Sequence, residues 1–147
     1  CNIIFCDIKT NLADNYAREV KINELKETSD IISLHTNLNQ SSRHIIDKQF
    51  IDDCKKSFCL INTARGECIS NHDLIYGLES DKIIGAGLDV LENENKDFEG
   101  IAVDQNLDKL KKFENVILTP HIAGWSKESK VKLAQITVNK IKEFLDL

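Results

Sequence analysis

The chain has no methionine, a single proline at Pro120 and one tryptophan among its 147 residues, and no low-complexity tract, internal repeat or interdomain linker interrupts it. No apolar run approaches the roughly 18 residues that a membrane span needs, and no signal-peptide pattern is present, so no membrane role is indicated. Basic charge is also scarce. Nineteen Lys and Arg stand against 24 Asp and Glu, for a formal net charge of -5, and the lysines are scattered among acids. A nucleic-acid partner is thereby disfavoured, because a phosphate backbone is bound by clustered cations. The five cysteines, Cys1, Cys6, Cys54, Cys59 and Cys68, are odd in number and lack any C-x-x-C spacing. That pattern points to a reducing cytoplasm and to no zinc site. Position 1 is not Met, and the first residues already read as a strand, so we expect the start of the protein to lie upstream.

What is present is ordinary globular material: 41% hydrophobic and 29% charged residues in a length typical of one domain. Short apolar runs predict strands at Asn2 to Cys6, Ile31 to Leu34, Phe58 to Ile61, Ile83 to Leu88 and Val116 to Leu118, the first two read as buried. Between them, helical spacing predicts segments at Ile22 to Thr28, Asp47 to Cys54, Ser70 to Ser80 and Leu107 to Lys112. Ser70 with Asp73 has the form of a capping box. From Ser126 onward, Val131, Ala134, Val138, Ile141 and Leu145 recur at threes and fours and predict one long amphipathic helix. Strand and helix alternate, as right-handed crossover units require, so the expected fold is α/β, a Rossmann-type doubly wound parallel sheet.

In such sheets the ligand crevice lies outside the carboxyl ends of the strands. Polar residues of catalytic type stand at four of these ends: His35, Arg65, Asp89 followed by Glu94, and His121 after Thr119 and Pro120. Arg65 precedes Gly66 where a strand hands over to a loop. Its guanidinium keeps its charge and offers a planar fork for a carboxylate, although an arginine there can equally brace the loop by pairing with a neighbouring acid. Asp7 ends the first strand, where an acid either binds an adenosine ribose or caps the next turn. His44 and His72, on helix flanks, read as structural or surface residues. Convergence of cation, acid and histidine on one sheet edge carries more than any one of them.

The segments Ser33-Leu34-His35-Thr36, Ile61-Asn62-Thr63-Ala64-Arg65-Gly66, Gly87-Leu88-Asp89-Val90 and Thr119-Pro120-His121-Ile122-Ala123-Gly124, in this order and spacing, resemble the D-isomer-specific 2-hydroxyacid dehydrogenases over nearly the whole chain. Asn37, where the family usually has proline, is a departure, and the stretch from Asp89 to His121 is longer than usual. The resemblance implies that residues 1–147 are part of an NAD-binding domain, beginning at its second strand. The first strand with its Gly-rich turn and a separate substrate domain would lie outside the sequence.

The resemblance also implies roles. Arg65, Glu94 and His121 would be catalytic: Arg65 grips the carboxylate of a small 2-hydroxy or 2-keto acid, His121 exchanges the hydroxyl proton, and Glu94 holds the other imidazole nitrogen. Glu94, five residues after Asp89, matches the family's acid, whereas Glu92 matches a non-catalytic neighbour. Cofactor contacts would come from Asp7 on the ribose diol, His35 and Thr36 on the adenosine side, and Thr63, Ala64, Asp89 and Gly124 toward the nicotinamide. An acid at Asp7 repels a 2′-phosphate, which favours NAD over NADP. A homodimer is expected. Two rivals are a dinucleotide sensor or corepressor without turnover, and another Rossmann enzyme such as a methyltransferase or an L-specific dehydrogenase. Turnover of a 2-keto acid separates the first from an enzyme, and Thr119-Pro120-His121 after a strand weighs against the second.

Overall fold

In a computed structural model, the structure describes residues 1–92 and 105–146. Strands β3 (Ile31–Leu34), β4 (Phe58–Asn62), β5 (Ile83–Leu88) and β6 (Val116–Leu118) form a parallel sheet in the order β3-β4-β5-β6. Helices α1 (Ile22–Thr28), α2 (Lys48–Asp53) and α3 (Asn71–Glu79) follow in the crossovers, with α4 (Gln105–Leu110) before β6 and α5 (Lys127–Phe144) after it. Strands β1 (Ile4–Phe5) and β2 (Arg18–Glu19) pair with each other in a separate two-stranded ladder.

Why these segments form these elements is local chemistry. Asp47 accepts the amide of Phe50 to open α2, and the Ser70 side chain accepts the amide of Asp73 to open α3. Each satisfies one of the donors that a helix start leaves unpaired. Inside, Phe58, Leu60, Ile83, Ile51 and Leu110 are fully buried between the helices and one face of the sheet, joined by Leu74, Leu78 and Leu88.

Asn2 to Cys6 and Ile31 to Leu34, expected as buried strands, are buried only in part. Side chains alternate across a strand, and here one set is covered while the other is open: Ile32 and Leu34 are buried, but Ile31 is 62% and Ile117 69% exposed, with Ile61 and Ile84 also exposed. Asn2 to Cys6 shortens to the two half-buried residues of β1, and its partner β2 carried no periodic signal because two residues cannot show a period. The helix from Ser126 forms over 18 residues, yet none of them is buried, so its apolar stripe covers nothing among the described residues.

Phe58 fills the centre of the covered face, and its replacement by alanine should cost about 3–5 kcal/mol in urea denaturation. Ser70→Ala removes only a cap and should cost about 1 kcal/mol by the same measurement.

Candidate active site

The ladder register lines up the four carboxyl ends of the sheet. Leu34 pairs with Asn62, Asn62 with Leu88 and Leu88 with Leu118. Beyond that line the pairing continues, with the amide of Asp89 donating to the Asn62 carbonyl at 3.0 Å and that of Thr119 to the Leu88 carbonyl at 2.9 Å. Adjacent strands lie about 4.8 Å apart. His35, Thr63, Asp89 and Thr119 therefore emerge side by side, although the chain separates them by dozens of residues.

The turns carrying Arg65 and His121 are each fixed by a buried polar residue. Asn62 is fully buried at the end of β4; its Oδ1 accepts the amide of Ala64 at 3.1 Å and its Nδ2 donates to the carbonyl of Arg65 at 3.0 Å. The turn carrying Thr63, Ala64 and Arg65 is thus drawn back onto its own strand. Thr63 and Arg65 stay exposed, and the Arg65 guanidinium donates through Nη1 to the Ala64 carbonyl at 2.6 Å. That bond orients a cation at the sheet edge without neutralising it. Gly66 begins a 3-10 turn, Gly66–Cys68, and is needed there for space. A Cβ at this position would fall on the Leu91 carbonyl and 2.6 Å from the Glu92 nitrogen.

Asp89 performs the corresponding task for β6. It is 3% exposed, and its Oδ1 accepts the Thr119 hydroxyl at 2.5 Å and the Ile122 amide at 2.9 Å, while Oδ2 accepts the Ala123 amide at 2.9 Å. Burial pushes this carboxyl up, but the hydrogen bonds from Thr119, Ala123 and Ile122, with His121 close by, outweigh it and hold it below the ordinary carboxylate value. The clasp bends the chain sharply. His121 sits at φ 53, with its amide shared between the carbonyls of Asp89 at 2.9 Å and Thr119 at 3.0 Å. A non-glycine residue in the left-handed region is held there only where its surroundings over-determine it.

The remaining candidates are placed less centrally. His35 is exposed, with Nε2 2.9 Å from the Ser33 hydroxyl, and Thr36 bonds the carbonyl of Asn37. Asp7 ends β1 in the separate ladder and accepts the amide of Lys9 at 2.8 Å, the turn-capping arrangement. Gly124 is exposed, and a Cβ there would meet open space. Glu94 lies outside the described residues. Sequence reading gave no role of their own to Asn62 and Thr119, and set Glu92 aside as a non-catalytic neighbour and His44 as a structural or surface residue. The Glu92 carboxylate is 2.8 Å from His44 Nε2 and accepts the amide of Asn71 at 2.9 Å. A buried asparagine at a strand end, inside a motif already singled out, was the available signal for Asn62.

A dinucleotide suits part of this edge. The exposed Thr63 and His35 and the half-buried Thr36 line it, and Asp89 Oδ2 retains a lone pair for a further donor. The Gly-rich turn that cradles a pyrophosphate is absent from these residues, since no G-x-G-x-x-G occurs in the sequence. Among the described residues no buried side-chain nitrogen or oxygen lacks a partner, no three metal-ligating side chains cluster, and no helix is long and apolar enough to cross a membrane.

Residues 1–123 match the family model for the D-isomer specific 2-hydroxyacid dehydrogenase NAD binding domain. An aromatic 2-oxoacid reductase of Clostridium sporogenes is 36% identical over 137 residues, covering 90% of this chain and 41% of that protein. A D-lactate dehydrogenase of Staphylococcus aureus is 36% identical over 127 residues, covering 80% and 37%. Among solved structures, the NAD-complexed D-isomer specific 2-hydroxyacid dehydrogenase of Lactobacillus delbrueckii ssp. bulgaricus superposes with a TM-score of 0.83 at 30% identity, over 99% of this chain and 46% of that one. The chain thus spans less than half the length of these relatives.

Replacing the clasp should be measurable. Asp89→Asn loses the charged acceptor and turns an amide NH2 toward backbone donors, for about 1–3 kcal/mol of stability at neutral pH. A carboxyl held below its ordinary value contributes stability fully above its unfolded pKa, about 3.9, and loses it as pH falls through the folded value. Urea titrations from pH 7 to 3 should show the wild type losing stability below about pH 4, and the variant losing less over the same interval.

Proposed function

The chain belongs to the D-isomer specific 2-hydroxyacid dehydrogenase family, and on that premise we propose that its protein is an NAD-dependent enzyme interconverting a D-2-hydroxy acid and its 2-keto acid. The observation that supports this most directly is the shared register line. It sets the Arg65 turn, Asp89 and the His121 bend beside one another at the carboxyl edge of a parallel sheet.

The reaction needs a cation for the substrate carboxylate, a base for the hydroxyl proton and an acceptor for the hydride. NAD, when bound, would supply the last of these as hydride acceptor or donor. Arg65 grips the carboxylate and steadies the carbonyl oxygen as charge develops there. His121 takes the hydroxyl proton in oxidation and returns it in reduction. Glu94 pairs with that imidazole; the engagement of Glu92 by His44 and Asn71 supports the choice of Glu94. Asp7 is assigned to the ribose diol, His35 and Thr36 to the adenosine side, and Thr63, Ala64, Asp89 and Gly124 to the nicotinamide half.

Lactate and aromatic hydroxy acids are the substrate classes that the relatives' names suggest, and phosphoglycerate remains open to the same chemistry. We place the protein in the cytoplasm as a homodimer. The free state of all five cysteines accords with a reducing compartment, and the dimer rests on the family alone.

Steady-state reduction of pyruvate, phenylpyruvate and hydroxypyruvate by the full-length protein, followed by NADH absorbance, tests the reading. Tight NADH binding without turnover of any 2-keto acid would sink it in favour of a sensor. In the active protein, Arg65→Lys keeps the charge but loses the bidentate fork, and kcat/KM should fall at least about a hundredfold, near 3 kcal/mol, with NADH affinity unchanged. An Arg65→Lys protein that melts early yet turns over normally would make Arg65 a loop brace. Glu94→Gln should lower kcat by about a hundredfold or more, again without weakening NADH binding; an unaltered kcat removes the acid from the mechanism.

A further inference from the structure

Glu92 has no part in the chemistry above, yet both oxygens of its carboxylate are engaged by residues of other segments. Oε1 lies 2.8 Å from His44 Nε2, and Oε2 accepts the amide of Asn71, the first residue of α3, at 2.9 Å. The side chain is only 19% exposed. His44 is itself held in the left-handed region, at φ 50, with its amide bonded to the Glu67 carbonyl at 2.8 Å. Two residues on, the Ile46 amide donates to the Cys68 carbonyl at 3.1 Å, and Ile46 bridges Ile69 in parallel. Segments 44–46, 66–71 and 91–92 are therefore tied at one point.

That point adjoins Arg65. Leu91, the residue before Glu92, presses its carbonyl into the space that a Cβ of Gly66 would occupy. The Arg65 carbonyl receives the Cys68 amide at 3.1 Å and the Asn62 side chain at 3.0 Å. One flank of the arginine is thus fixed by Asn62. On the other, the Leu91 carbonyl abuts Gly66, and the Glu92 carboxylate ties that strand exit to His44 and α3.

We propose that Glu92 is a positioning residue for substrate binding: by bridging His44 and the first turn of α3 it locks Leu91 over Gly66 and so holds Arg65 where it meets the carboxylate of the 2-keto acid. The inference rests on the reading of Arg65 as the carboxylate cation. Freed of the anchor, the turn relaxes and the fork loses its fixed direction. Ground-state and transition-state grip weaken together, which raises KM for the keto acid more than it lowers kcat.

The test is steady-state kinetics of full-length wild type, Glu92→Ala, Glu92→Gln and His44→Asn, with the 2-keto acid that the wild type reduces best and with NADH binding followed by fluorescence. Glu92→Ala should raise KM for the keto acid at least about tenfold, with kcat within about threefold and NADH affinity unchanged. Glu92→Gln should remain near wild type. Its amide oxygen accepts from Asn71 and its NH2 meets His44 Nε2 in the other tautomer, so both bridges survive without the charge. His44→Asn, a residue that tolerates the left-handed backbone, should raise KM in the same direction, and adding it to Glu92→Ala should cost nothing further. If Glu92→Ala does not fold, the His44→Asn shift carries the decision. An unchanged keto-acid KM in folded Glu92→Ala or in His44→Asn overturns the proposal. So does a kcat in Glu92→Gln as low as in Glu92→Ala, which would make Glu92 the acid of the mechanism. A wild type inert toward every 2-keto acid fails the broader reading instead, before any variant is compared.

Discussion

A buried carboxylate at the end of β5 governs how the last third of the chain meets the sheet. Asp89 is almost wholly removed from water, and a charge in that position is costly unless donors surround it. Here the donors all come from one short segment, the Thr119 hydroxyl and the amides of Ile122 and Ala123. The charge can be satisfied only if residues 119–123 wrap it, and wrapping forces the left-handed turn at His121. Pro120 keeps β6 from running on past the wrap. The position of the histidine is therefore a consequence of solvating Asp89 with protein rather than water.

The body beneath this edge is built more simply. Helices and one face of the sheet enclose an aliphatic core, while the other face leaves Ile31 and Ile117 largely exposed. Parallel sheets ordinarily bury both faces. Among the described residues only one face of this sheet is covered. α5 likewise carries an apolar stripe at helical spacing, with none of its residues buried against the described residues.

These features explain what could be read in advance. Ile22–Thr28, Ile31–Leu34, Ile83–Leu88 and Val116–Leu118 coincide with the expected elements because their signals are local: periodicity, caps at Asp47 and Ser70, and a proline after Leu118. β2 and the brevity of β1 were illegible, since a two-residue ladder is decided by its partner and not by its own pattern. In the site, Arg65, Asp89 and His121 were visible as reactive types at strand ends. Their supports were not. Asn62 acts locally, on Ala64 and Arg65, but only its burial marks it as a support; Glu92 reaches the amide of Asn71, 21 positions back, and His44, read as a structural or surface residue, finds its carboxylate 48 positions away.

A common construction underlies both halves of the site. The two side chains assigned to the substrate, Arg65 and His121, have their backbones fixed by a buried polar residue at the end of the strand before: Asn62 holds the arginine's turn, and Asp89 holds the histidine's bend. A guanidinium or imidazole that must meet a small acid within a few tenths of an ångström gains from a fixed backbone, because its own rotamers are too free to supply that order. The cost falls on the buried groups, which tolerate no half-measure: left partly satisfied, each is worse than an apolar residue of the same size. Such a site is assembled completely or not at all. Two buried residues set the backbone geometry of the two proposed to meet substrate, and the sheet register brings both pairs to the same edge.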